Sequence, residues 1–137
     1  MYTNGVKGYK ANIEKQTLEN TNFRQVRYTS KYFQLVLMAL KPKEEIGFET
    51  HEENDQFFRF ESGTGQAIID ERVAELTDGD CVIVPAGAKH NIINTSETEY
   101  LKFYTLYSPP HHKDKTIHKT KKEAMSSDEE FDGVTSE

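Results

Sequence analysis

Cysteine is nearly absent from this chain: Cys81 stands alone, so no internal disulfide can form and a disulfide-stapled fold is excluded. Long apolar runs are absent as well. No stretch approaches the ~18–20 residues that cross a bilayer, and the N-terminal MYTNGVKGYKANIEK lacks the apolar segment of a secretory signal. Membrane and export are therefore not expected, which leaves the cytoplasm as the expected compartment. Positive charge is in deficit, with 17 Lys and Arg against 23 Asp and Glu and a formal net charge of −6. A net-negative surface opposes the phosphate neutralisation on which nucleic-acid binding rests, so DNA and RNA are not expected partners. Between Phe23 and Tyr107 no stretch holds a 3.6-residue period for three turns, which excludes a helical bundle.

What is present instead is a strand texture. Phe33 to Leu40 is rich in strand formers and stops at Lys41-Pro42-Lys43, where proline cannot continue a ladder. Strand-like segments follow at about 46–51, 56–61, 66–70, 72–76, 81–84, 90–94 and 100–107, parted by turn signals such as Ser62-Gly63-Thr64-Gly65 and Asp78-Gly79-Asp80. With 29% charged and 35% hydrophobic residues in 137, the chain can bury one core. Many short strands with tight turns predict an all-β sandwich or barrel over residues 23–108. Residues 1–22 show no sustained period and read as an N-terminal arm with at most a short strand or a turn of helix. Beyond Ser108-Pro109-Pro110, residues 109–137 hold few apolar groups and separate runs of lysine and acid. A largely flexible C-terminal extension is expected, with Lys119 to Met125 able to form a short helix and the segment before it able to pack across the barrel.

Parity assigns provisional roles. Cys81, within Cys81-Val82-Ile83-Val84, reads as a buried, inert small hydrophobe. Arg59 is expected on the outer face, paired with Glu61, while Phe58, Phe60, Phe103 and Tyr104 are expected in the core or in dimer contacts. His111, His112 and His118 fall in the polar C-terminal region and are expected to be solvated, with a lid that closes the barrel mouth as the alternative.

From Gly79 to Asn94 the chain reads GDCVIVPAGAKHNIIN: glycine, five residues, Pro85, one residue, Gly87, two residues, His90, three residues, Asn94. Average residue frequencies produce such a pattern by chance in a chain of this length on the order of once in 10⁵. It resembles the second signature motif of the cupin superfamily at every fixed position. The first cupin motif runs histidine, one residue, histidine, three or four residues, glutamate, six residues, glycine. With its glycine aligned on Gly63, Gln56 takes the glutamate position, His51 the second histidine and Glu49 the first. The resemblance spans roughly residues 33–107. It implies a cupin double-stranded β-helix, or jelly-roll barrel, with a site inside one mouth.

That site, by resemblance, is a divalent metal centre made by Glu49, His51, Gln56 and His90. Alternation puts Glu49 and His51 on one face, and His90 on one face with Ile92 and Asn94. Two imidazoles, a carboxylate and an amide suit Zn, Fe, Mn or Ni. The resemblance points first to a metal-dependent enzyme on a small polar substrate, similar to sugar-phosphate isomerases of the mannose-6-phosphate type, with Glu49 as candidate catalytic carboxylate. A non-catalytic small-molecule-binding or assembly barrel is the alternative, and a non-haem iron dioxygenase using Glu49, His51 and His90 is the further one. A small-molecule ligand and a homodimer are the partners it implies.

Overall fold

The computed structural model describes residues 8–137, so the first seven residues of the expected N-terminal arm lie outside the described residues. Residues 8–22 carry a short helix, α1 (Ile13–Glu19), whose start is fixed by Asn12: its side chain accepts from the Lys15 amide at 3.0 Å, satisfying one of the free N–H groups of the first turn. No helix among the described residues is long and apolar enough to cross a membrane.

Ten strands follow: β1 (Arg24–Thr29), β2 (Gln34–Leu40), β3 (Glu49–Thr50), β4 (Asp55–Ser62), β5 (Gly65–Ile69), β6 (Arg72–Leu76), β7 (Cys81–Val84), β8 (Lys89–Asn94), β9 (Leu101–Ser108) and β10 (Ile117–His118). They form two antiparallel sheets, six strands in the order β10-β1-β2-β9-β4-β7 and four in the order β3-β8-β5-β6. This is the double-stranded β-helix expected from the sequence; eight strands fall on expected segments, although only Glu49–Thr50 of the segment at 46–51 forms a strand, and β1 and β10 lie outside them. Gly63 turns β4 into β5 with a φ of +98°, and a Cβ there would fall on the Tyr100 carbonyl oxygen, so the position requires glycine on both counts. Gly87, in the turn between β7 and β8, has a φ of +89°.

The two sheets face each other across a core in which the period-2 alternation is easy to follow. Phe58 and Phe60 of β4, Phe103 of β9, Val36 and Met38 of β2 and Ile92 of β8 are completely buried. Each large apolar side chain removed from water in this way contributes roughly 1.5–3 kcal/mol. Phe60 and Phe103 sit directly opposite each other in the β4–β9 register, with ring centroids 5.1 Å apart. Tyr104 points outward beside Phe57 and stays outside this core. Arg59 is on the outer face and pairs with Glu61 at 3.3 Å, as parity predicts.

Two expectations are corrected. Cys81 is exposed rather than buried. In β7 the inward positions are Val82 and Val84, so alternation turns Cys81 and Ile83 to the outer face of the six-stranded sheet, where both are exposed. The second correction concerns His112 and His118, which are buried to 6% and 7% exposure instead of solvated. The reason lies in how residues 109–137 meet the barrel. The chain leaves β9 through a cis Ser108–Pro109 bond. The backbone of His111 and His112 is then gripped by the fully buried Gln34: its Oε1 accepts from both amides, at 3.2 and 2.9 Å, and its Nε2 donates to the His112 carbonyl at 2.7 Å. Farther along, β10 pairs with β1, Thr120 caps the helix α2 (Lys121–Ser126), and the Ser136 amide donates to the Thr29 carbonyl. The segment expected to be largely flexible is thus laid along the barrel by polar pairing. An apolar count cannot register that.

Candidate metal centre

Glu49 and His90 are cross-strand partners in the β3–β8 pair, which aims both side chains at the same inner face. His51 follows β3 by one residue, and its carbonyl accepts from the Gly87 amide at 2.9 Å, tying the two motif segments together. The result is a cluster in which one ligand atom each from Glu49, His51 and His90 lie within 4.8 Å of one another. His51 Nε2 stands 3.5 Å from Glu49 Oε1, and the two imidazole centroids are 5.2 Å apart. Of the four residues predicted from the sequence, these three are brought to one point.

Gln56 reaches the same inner surface from β4, opposite Tyr107 of β9, whose ring lies 5.7 Å edge-on from His51. Its Nε2 donates to Thr105 Oγ1 at 3.0 Å, while its Oε1 is buried without a partner. Along this inner surface His90 Nε2 and Gln56 Oε1 are buried without a hydrogen-bond partner, and His51 Nε2 has only the Glu49 carboxylate, 3.5 Å away. Buried polar atoms normally find partners, so such a group in one place marks a site built for something else. The donor set fits a divalent ion.

His90 shows which lone pair is offered. Its Nδ1 lies 3.0 Å from the Ala88 carbonyl oxygen, which can only accept, so Nδ1 carries the proton and Nε2 is left as a bare lone pair facing the cluster. This is the usual arrangement of a metal-binding histidine, with the far nitrogen oriented by a backbone carbonyl. Burial, the largest influence, lowers the His90 pKa; the Ala88 contact offsets this only partly, and His51 lowers it further. For Glu49, burial pushes the carboxyl up, but His51 together with Arg24 and His90 outweighs it and the net shift is downward. Neutral imidazole beside ionised carboxylate is the protonation state that metal binding requires.

The C-terminal segment supplies residues that the sequence reading placed elsewhere. His111 stacks on Tyr107 at 5.1 Å and lies tilted against His51 with centroids 4.3 Å apart, and with Thr50, Asn54 and Phe131 it borders a cavity of about 320 Å³ over the mouth. His112 Nδ1 donates to Glu129 Oε1 at 2.8 Å, which leaves Nε2 to accept from the Tyr107 hydroxyl at 3.3 Å. Tyr107 is buried among these groups, and burial raises its pKa well above the ordinary value. The one available signal for this chain was adjacency: two histidines directly after the last barrel strand. A wider groove of about 690 Å³ beside Phe48, Ile68, Asp70 and Lys89 lies on the opposite face of β8 from His90.

The histidines make stability sensitive to mild acid. Burial, helped by His112 and His51, pushes His111 down to about 4, and burial is also the leading cause of the downward shifts of His90, His112 and His118. The unfolded chain binds protons at these sites first, near 6.5, so stability is fully present above that pH and falls as the pH drops toward 4. Each histidine neutral in the fold and charged in the unfolded chain adds about 1.4 kcal/mol per pH unit of slope. A second loss comes below about 4.5. There burial raises Glu129 but its contacts with His112 and the Lys113 amide bring it down to about 2, so its stabilisation disappears as the pH approaches that value. Urea unfolding at pH 7.5, 6.0 and 5.0 measures the first window; equal stability at all three would contradict it.

A family model described as Cupin domain (Cupin_2) matches residues 36–107. The chain is similar to uncharacterized protein L612 of Acanthamoeba polyphaga mimivirus, with 48% identity over 115 residues that make up 82% of this chain and 72% of that one. It is also similar to uncharacterized protein YrkC of Bacillus subtilis, with 39% identity over 131 residues, 91% of this chain and 70% of that one. Among solved structures, BH2720 from Bacillus halodurans superposes with a TM-score of 0.85 at 36% identity, over 90% of this chain and 98% of that one.

Proposed function

Because the chain belongs to the cupin domain family, we propose that it binds a divalent metal ion through Glu49, His51, His90 and Gln56 and acts as a metal-dependent enzyme on a small polar substrate. The observation that carries this reading is the buried, partnerless Nε2 of His90 beside His51 and one carboxylate. A bound ion would supply Lewis-acid polarisation of a substrate oxygen. The chain's own groups prepare that chemistry. Ala88 orients His90 and Thr105 orients Gln56, while Phe58 stands 6.3 Å edge-on from the His90 ring and limits water on that side. His111 and the C-terminal segment border the entrance.

A sugar-phosphate-isomerase-like reaction is the first form of this proposal, with Zn, Fe, Mn or Ni as the ion. The composition of the tight cluster, two histidines and one carboxylate, favours a non-haem iron dioxygenase as the second. Iron content together with oxygen uptake separates the two. Thermal unfolding in the presence of each of the four ions tests the shared premise. A ligand of the folded state alone at a hundred times its Kd adds about 2.7 kcal/mol, so at least one ion is expected to raise Tm clearly. No shift with any of them would favour a non-catalytic small-molecule or assembly barrel. A homodimer belongs to the same proposal, supported by the exposed Phe33 and Ile83 on the outer face of the six-stranded sheet; a monomeric mass by light scattering would contradict it.

A further inference from the structure

Arg24 is a buried cation that, among the described residues, has no carboxylate at ion-pair distance. It sits on β1 with the parity of Val26, a core residue, and its cross-strand neighbours are Met38, fully buried in the core, and His118. Its side chain is therefore turned to the interior, and the residue is only 7% exposed. Its Nη1 donates to His118 Nδ1 at 3.4 Å, its guanidinium carbon lies 5.3 Å from the Phe23 ring centroid, and its Nε is buried with no partner. Buried arginines are ordinarily matched by an anion, because an unmatched charge in the interior is costly. The guanidinium is also near enough to bear on the ionisation of Glu49, Tyr107, His112 and Glu129. Its neighbour Met38 lies in the same buried core as Phe58, whose ring stands 6.3 Å from that of His90, so Arg24 faces the interior that also holds the candidate metal centre.

We propose that Arg24 holds the carboxylate of a small anionic ligand whose other end meets the Glu49–His51–His90 cluster. The inference rests on the metal reading given above, and a charge count shows why. Arg24 against Glu49 and Glu129 leaves the interior at −1 with neutral histidines; a divalent ion takes it to +1, which one monoanion balances. With Nη1 engaged by His118, the Nε edge is the side left open, and an arginine edge matches the two oxygens of a flat carboxylate. A dianionic phosphate would overshoot that single charge.

The test uses the full chain loaded with the ion that raises its Tm, and calorimetric titration with glycolate, with its neutral isostere glycolamide, and with inorganic phosphate. Glycolate is expected to bind the unaltered protein at least tenfold more tightly than glycolamide and more tightly than phosphate. Arg24→Gln is expected to weaken glycolate at least tenfold, and Arg24→Lys to weaken it less, with metal content by elemental analysis equal in all three proteins. Equal glycolate binding in Arg24→Gln, equal binding of glycolamide, or a preference for phosphate would each overturn the assignment. Failure of the unaltered protein to take up any ion would overturn the metal reading instead. Glycolate titrated into that metal-free protein and its Arg24→Gln variant then decides on Arg24: tighter binding to the unaltered chain supports the assignment, and equal binding, or none to either, overturns it.

Discussion

Replacing His90 by alanine is expected to abolish the metal-dependent part of this protein's stability while leaving a folded barrel. The ring is buried and packed near Phe58, so its removal leaves a cavity, and a loss of about 1–3 kcal/mol is expected even without metal. That loss alone would not identify a ligand. The informative quantity is the increment that metal adds, measured in the same variant with and without the ion. Nε2 of His90 has no partner within the protein, and Nδ1 touches only the Ala88 carbonyl, so nothing else in the fold depends on the lone pair. Removing an outer partner of a metal ligand commonly lowers affinity 10–100-fold. Losing the ligand itself is therefore expected to weaken binding by at least about a hundredfold, with the Tm increment at moderate metal concentration falling close to zero. An unchanged increment in His90→Ala would show that the ion binds elsewhere.

Gln34→Leu is expected to cost about 2–4 kcal/mol and to release the C-terminal segment from the mouth. The substitution keeps the size of the side chain but removes both ends of the amide. The amides of His111 and His112, the His112 carbonyl and the Thr29 hydroxyl all lose their Gln34 partner at once. Each buried group left without a partner is penalised by its desolvation, and the segment can avoid the sum only by lifting into water. The loss is therefore limited by the cost of detachment, which also takes His111 from His51 and His112 from Tyr107. Urea unfolding gives the magnitude, and hydrogen exchange over residues 111–118 locates it. Exchange as slow as in the unaltered chain, with stability changed by less than about 0.5 kcal/mol, would contradict the role given to Gln34.

The barrel was legible because its signals are local. The alternation in β4 and β9, the turn at Ser62-Gly63-Thr64-Gly65 and the spacing from Gly79 to Asn94 each depend on neighbouring residues, and all three appear in the structure where the pattern puts them. The trio Glu49, His51 and His90 was legible for the same reason, since motif spacing fixes the register that makes Glu49 and His90 partners. What escaped depends on distant pairing. Nothing near Arg24 announces that it turns inward beside His118, 94 positions away. Gln34 looks like any polar residue at the start of an apolar strand until His111 and His112 return to it. The exposure of Cys81 follows from its outward parity on a strand covered on one face only, which a continuous apolar run does not reveal.

Anomalous diffraction from crystals of the full chain soaked in the ion that raises its Tm would test the central claim most directly. The account predicts one strong peak inside the barrel, within about 2.0–2.2 Å of His51 Nε2, His90 Nε2 and a Glu49 carboxylate oxygen. A peak only at surface residues, or none inside the barrel at saturating ion, would contradict it.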